Sequence, residues 1–279
     1  MQVYRAHQKS HKNRKIFNRK RSLKPVGKHD EFASLSTISN GVNYMSNINP
    51  IDLLPPSLKN HQFGGPGDIG SPEKRSLWLC GIEYGESENE NGTETEIENY
   101  TVGLQWRNWT YNRNAFKLIA SIEGQKVEDA LSYAEQKKIF ESSTAGYFQT
   151  NLFPVECRTL EAWSEDAKIR TGFLDKRAYA DYIRSICFEN MHKQLQAKKP
   201  RLFLGVGITH VGDFSQVVFG KQVELDRHDF EVGGHRKTVF LRPGEIPFAV
   251  VSHLSSPSGL NSNEALETAG HLIRKMMHK

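Results

Sequence analysis

The sequence predicts an α/β fold: a three-layer α/β/α sandwich with a central, mostly parallel sheet. Two observations carry this. From Leu77 onward, short apolar runs of strand length alternate with longer stretches of helical periodicity, the pattern left by βαβ units that cover both faces of a parallel sheet. The 279-residue length suits one such domain with additions, or two small ones. A hydrophobic content of 37%, with 15 Phe, 9 Tyr and 4 Trp, is enough for a core.

The elements follow in order. Residues 1–76 show little periodicity and carry breaker clusters such as Leu54-Pro55-Pro56-Ser57 and Phe63-Gly64-Gly65-Pro66-Gly67. They divide into a basic flexible arm, 1–28, and an extended lead-in, 29–74, to a domain over 75–279. The first strand is expected at 77–80, running into a loop at Gly81-Ile82-Glu83-Tyr84-Gly85. Helical stretches are expected around 114–122 and 127–140, after an acidic loop. A strand at 147–152 precedes helical segments at about 160–169 and 176–198. Next come a strand at 201–206, a helix near 210–219 and two strand-like runs, 222–232 and 237–241, whose Gly233-Gly234 linker signals a hairpin. The strand 248–251 delivers a loop, 253–261. The last helix starts with Ser262 or Asn263 as N-cap and buries Leu266, Ala269, Ile273 and Met276 or Met277. In such sheets ligands bind beyond the carboxyl ends of the strands, so the loops after residues 82, 152, 206 and 251 should converge.

Charge is unevenly placed. Residues 1–28 hold ten Lys/Arg and no acid, leaving the rest of the chain with 27 bases and 32 acids, a net charge of −5 against +5 for the whole. Acid-free basic arms track phosphate backbones; a mitochondrial presequence and a solubilising tail are the competing readings. No apolar run reaches the length of a membrane span, and the N-terminus lacks the apolar stretch of a secretory signal. Three cysteines, Cys80, Cys157 and Cys187, cannot build a disulfide framework or hold an iron–sulfur cluster, and no Cys/His spacing reads as a zinc site. A reduced, cytoplasmic protein without metal or cofactor is expected. Gly205-Val206-Gly207 opens a helix with His210 where a dinucleotide fingerprint needs its third glycine, although Glu224 and Asp226 lie near the ribose-acid spacing. A lone G-x-G is weak.

Three segments carry the chemistry. Arg75-Ser76-Leu77-Trp78-Leu79-Cys80-Gly81-Ile82-Glu83-Tyr84-Gly85 resembles the strand-plus-loop motif G-I-N-P-G of the mismatch-specific uracil/thymine-DNA glycosylases. Asn114-Ala115-Phe116-Lys117-Leu118-Ile119 is similar to their N-R-F-W-K-V-I helix. Leu254-Ser255-Ser256-Pro257-Ser258-Gly259-Leu260-Asn261 is similar to their L-P-N-P-S-G-L-S motif, again just before the terminal helix. The matches occur in family order and span roughly 75–279, with long insertions between them.

The resemblance to the uracil-DNA glycosylase superfamily implies its three-layer fold and a monofunctional DNA glycosylase acting as a monomer on double-stranded DNA, without a membrane partner. Breaking an N-glycosidic bond develops oxocarbenium character on the sugar and negative charge on the leaving base of an extruded nucleotide. Glu83 stands at the water-positioning place, where the mismatch-specific branch has Asn and the main uracil enzymes Asp; a solvated member of the acidic loop is the alternative. Tyr84 replaces the family's Pro. Gly85 leaves room for a 5-substituent that a Tyr would block. Trp109 is nearest the place of the base-stacking aromatic, with Trp106 and Tyr111 as alternatives and a core role as the other reading. Asn151 resembles the strand-end Asn that pairs with a pyrimidine edge; an Asn capping a turn is its plainer reading. Gly259, Leu260 and Asn261 correspond to the wedge that enters the duplex. Ser256 occupies the place of a catalytic His, His253 lies three residues too early to match it, and Ser258 is expected to hold a phosphate.

The expected substrate is a flipped uracil-like or 5-substituted pyrimidine. Bulky modified cytosines such as the glucosylated hydroxymethylcytosine of phage DNA are included, which would make the protein an antiphage factor. Seven Glu and no Lys or Arg lie between Glu83 and Glu98; they are either a solvated loop or acceptors for hydroxyls on such a base. A non-catalytic DNA-binding module on the same fold is the alternative function.

Overall fold

The computed structural model describes residues 58, 61–85, 109–157 and 162–278. The basic arm, the acidic segment after Gly85 and Trp106 lie outside the described residues. All described residues belong to one compact unit, Asn47–Lys279.

Six strands form one sheet: β1 (Leu77–Gly85), β2 (Tyr147–Cys157), β3 (Leu202–Val206), β4 (Asp226–Val232), β5 (His235–Arg242) and β6 (Phe248–Val251). Their order is β2-β1-β3-β6-β5-β4. The first four are mutually parallel, and β5 and β4 add an antiparallel edge. The hairpin closes through Gly233 and Gly234 at φ 58° and 75°, a pair of positive values that favours glycine and matches the twist of the flanking strands.

Strand β1 shows why two helical layers are needed. Leu77 and Leu79 pack with α1 (Thr110–Ile122), α2 (Ala130–Lys137) and α7 (Asn263–Met277). Trp78, Cys80 and Ile82 point the other way, into a second cluster with α4 (Lys176–Tyr182), α5 (Phe188–Lys198) and α6 (Val211–Phe219). Alternate side chains of a strand face opposite sides of the sheet, so a strand buried on both faces reads as a continuous apolar run. The protein is therefore α/β, with a mostly parallel sheet flanked by helices on both faces.

Several boundaries differ from the sequence expectation. The first strand continues through Gly85, so Glu83, Tyr84 and Gly85 end β1 instead of forming a loop; Gly85 pairs with Cys157 at the far end of an equally extended β2. The stretch 127–140 is a 3-10 turn, Val127–Asp129, followed by α2. It stops at Lys138 and Phe140, both at positive φ. The segment expected at 160–169 is α3 (Glu165–Thr171), placed later because the Ser164 hydroxyl accepts from the Ala167 amide as N-cap. The helix expected over 176–198 is α4 and α5 joined by a π-helical segment, Ile183–Cys187. Strand β4 begins at Asp226 and α6 at Val211. In α7, Ser262 is the N-cap and Met276 the buried methionine.

Part of the lead-in is firmly packed. Phe63 is buried with its ring 5.5 Å from Trp78, and Gly67 bridges to Phe148. The Asp68 carboxylate accepts from the amides of Gly70 and Gly146. Among the described residues no helix is long and apolar enough to cross a membrane.

Candidate functional site

The connection β1→β2 steps one way along the sheet and β2→β3 returns past β1 to its other side, so the topological switch point lies between β1 and β3. At its carboxyl edge stand the ends of β1 and β2, the turn after β3 and the loop after β6. Gly207 opens that turn at φ 129°, and a Cβ there would lie 2.5 Å from the Ile82 side chain. Only glycine permits this approach.

Glu83 is the central carboxylate. Its side chain is 8% exposed and paired with Lys176, the first residue of α4, which is 18% exposed. The ammonium lies 2.8 Å from one carboxylate oxygen and donates to the other at 3.1 Å. Burial pushes the Glu83 pKa above the ordinary carboxylate value, against Lys176, the nearby His210 and a hydrogen bond with the Cys157 thiol. Glu83 is thus a desolvated, paired carboxylate, and its reading as one more solvated acid of the acidic segment does not hold. Such a group is a stronger proton acceptor than a surface Glu.

Asn151 belongs to a second group, on the α1 side. It is the register partner of Gly81, and a Cβ on Gly81 would meet its Oδ1 at 2.2 Å and the Tyr111 hydroxyl at 3.4 Å. Its amide is also hydrogen-bonded to the Tyr84 hydroxyl, whose pKa is raised mainly by burial. Tyr84 donates in turn to the Gly64 carbonyl at 3.5 Å. Asn151 is therefore held by Tyr84, beside Gly81 and Tyr111, and is not capping a turn. Gly85 ends the strand next to Tyr84. Trp109 sits just before α1 and is 47% exposed, so it is not core. Tyr111 is packed against the core, its ring 5.7 Å from that of His253.

The loop 253–261 is built on its own backbone. The Leu260 amide donates to the His253 carbonyl at 2.9 Å and the Gly259 amide to the Ser256 carbonyl at 2.9 Å. Gly259 is required because a Cβ there would overlap the His253 carbonyl. Leu254 is buried, and its carbonyl accepts from the Asn114 side chain at 2.6 Å. Leu260 is fully buried in the core shared by α1 and α7. That corrects the wedge expectation for this conformation: closing the loop on the His253 carbonyl turns Leu260 inward. The exposed residues of the crest are Ser255, Pro257 and Ser258, with Ser256 half-buried. Asn261 is exposed but folds its amide back on the Ser256 and Pro257 carbonyls at 3.3 and 3.0 Å.

Four features escape sequence reasoning. Lys176 lies 93 residues from its partner and carries no local signature. His253 falls outside the motif spacing, yet it packs on Tyr111 and accepts from the Ser255 amide and hydroxyl. Lys237, 5% exposed on β5, donates to the carbonyls of Ser258 and Gly259 at 3.2 and 2.7 Å, holding the loop from beneath. His210, legible in the sequence only as a missing glycine, donates or accepts through Nδ1 at 2.8 Å from Asp213. Among the described residues no group of three or more His, Cys, Asp or Glu is disposed to hold a metal ion, and the three cysteines are free and buried.

Compared with models of known protein families and with curated proteins, the chain matches none.

Proposed function

We propose that the protein is a monofunctional DNA glycosylase that hydrolyses the N-glycosidic bond of a flipped uracil-like or 5-substituted pyrimidine in double-stranded DNA. The observation that carries the reading is that three features lie along the carboxyl end of one parallel sheet: the desolvated Glu83 on β1, the amide of Asn151 on the neighbouring β2 and the serine-rich loop after β6. In the reaction, water adds to C1′ of the sugar while the C1′–N bond breaks and its electron pair leaves with the base. Glu83 sits under the developing oxocarbenium charge, where an anion shielded from bulk water acts strongly. Asn151, steadied by Tyr84, offers one donor and one acceptor to a pyrimidine edge, and the exposed Trp109 stacks the base. Gly85 leaves space at the 5-position, which favours a substituted base, including a bulky modified cytosine of phage DNA. The crest serines and their neighbouring amides contact phosphate. The protein works as a monomer in the cytoplasm.

One observation favours a second reading, a DNA-binding module without catalysis: both Glu83 oxygens are engaged by Lys176. Base release on duplexes carrying uracil, mismatched thymine or phage-type modified cytosine decides. Glu83→Gln is expected to lose base release by at least about 10²-fold while keeping DNA affinity. A wild type that binds duplex DNA and makes no abasic site on any substrate refutes the enzyme reading.

A further inference from the structure

Resting on that reading, we propose that His210 is the catalytic base that takes the proton of the attacking water, with Asp213 as its positioning residue, leaving Glu83 to stabilise the cationic sugar. His210 Nδ1 lies 2.8 Å from Asp213 Oδ2. The Asp213 carboxylate also receives Arg184 through Nε at 2.9 Å and Nη2 at 3.1 Å. Burial works against the Asp213 charge, but the bonds from His210 and Arg184 outweigh it and hold the carboxyl below its usual range. An ionised carboxylate on Nδ1 selects the tautomer with its proton there, so Nε2 carries the free lone pair.

The dyad is placed at the reaction centre by Phe153. This residue is the register partner of Glu83 in the sheet. The His210 ring meets it edge-on at 6.0 Å, and the Arg184 guanidinium lies over it at 5.5 Å. His210 thus meets the ring of the residue beside Glu83 in the sheet and lies near enough to favour the Glu83 charge.

The division of labour follows from what each group already binds. Both Glu83 oxygens face the Lys176 ammonium, which steadies a negative charge and occupies the lone pairs that would have to receive a water proton. His210 is tied instead, through Nδ1, to a carboxylate. The elements around it also carry Tyr84 on β1, Glu156 and Cys157 on β2, Arg177, Tyr179, Asp181 and Tyr182 on α4, and His235, Arg236, Lys237 and Arg242 on β5. Asp181 pairs with Arg184 at 3.2 Å, and Lys237 is engaged with the loop carbonyls. In the step, the water oxygen bonds to C1′ and the C1′–N electron pair departs with the base. The water proton passes to Nε2, and Asp213 balances the imidazolium so formed.

The test is base release from pH 5 to 9 for the wild type, His210→Gln, His210→Asn and Asp213→Asn, with DNA affinity and Tm measured alongside. The wild type is expected to lose activity on the acid side. His210→Gln is expected to abolish that acid limb and lower kcat by about 10²–10³-fold, with DNA affinity within about 2-fold of wild type. An active wild type whose acid limb persists in His210→Gln, or moves only in Glu83 variants, overturns the assignment and leaves the glycosylase reading standing. A wild type that releases no base overturns both. Should both His210 variants unfold, imidazole ¹⁵N shifts of the wild type decide: a proton on Nδ1 at pH 8 supports the dyad, and a proton on Nε2 overturns it.

Discussion

Gly81→Ala separates the fold from the chemistry. The added methyl would lie 2.2 Å from Asn151 Oδ1, whereas a carbon and an oxygen rest about 3.3 Å apart. The amide oxygen must therefore retreat by about 1 Å. Retreat is feasible, because the obstacle is the end of a rotatable side chain and Gly81 is not among the positive-φ glycines. The swing breaks the bond to Tyr84 and costs about 1–2 kcal/mol for the broken bond and a poorer rotamer. Replacing glycine returns roughly 0.4–1 kcal/mol through the unfolded chain. A net loss of about 1 kcal/mol moves Tm by only about 2–4 °C in a domain of this size. Function should suffer far more, since a 1 Å misplacement of a recognition group costs about 10²-fold in rate. Single-turnover abasic-site formation on the best duplex, with thermal unfolding beside it, measures both. Combining the change with Asn151→Ala should add almost nothing, because both remove one interaction. Base release within about 3-fold of wild type, at the lowered Tm, would refute the role of Asn151 in holding the base.

Other consequences follow from named groups. His61 is half-buried, its Nε2 atom is shielded from solvent with no hydrogen-bond partner among the described residues, and burial pulls its pKa from 6.5 to about 4. The unfolded chain takes up this proton first, so stability is unaffected above pH 6.5 and falls as pH drops toward 4, by about 3 kcal/mol. Denaturant midpoints at pH 7, 5.5 and 4.5 should fall more steeply in wild type than in His61→Phe. Lys237→Met removes the tie to the Ser258 and Gly259 carbonyls; it should cost about 1–3 kcal/mol, speed amide exchange at Gly259 and Leu260, and weaken DNA binding. Unchanged exchange there would mean the lysine does not hold the loop. Deleting residues 1–28 should reduce the log–log salt slope of DNA binding by about 0.9 for each phosphate that the arm neutralises, while the bond-breaking rate is retained. An unaltered slope would make the arm a tail or a targeting segment.

The legible parts of this fold are those written in contiguous residues. The apolar run at Leu77–Leu79 announces a strand buried on both faces, and all three side chains are fully buried. The periodic apolar residues of the last helix identify its buried face, and Ser262 its cap. The end of β1 is less legible. Glu83, Tyr84 and Gly85 look like a turn, and they are strand because Gly85 pairs with Cys157, a partner that local propensity cannot reveal. Leu260 misleads for a related reason: a leucine among Gly, Ser and Asn reads as exposed until the loop closes on the His253 carbonyl and drives it into the core.

By itself the sequence determined the alternation of strands and helices, the hairpin at Gly233-Gly234, the basic arm and the candidate positions Glu83 and Asn151. Only the tertiary structure decided which groups meet: Lys176 on Glu83, Asp213 and Arg184 behind His210, and Lys237 beneath the last loop. The reason is physical. Hydrophobic periodicity and turn chemistry act between residues a few positions apart. The strength of a charged pair depends on burial, which is set by the register and order of strands far apart in the chain.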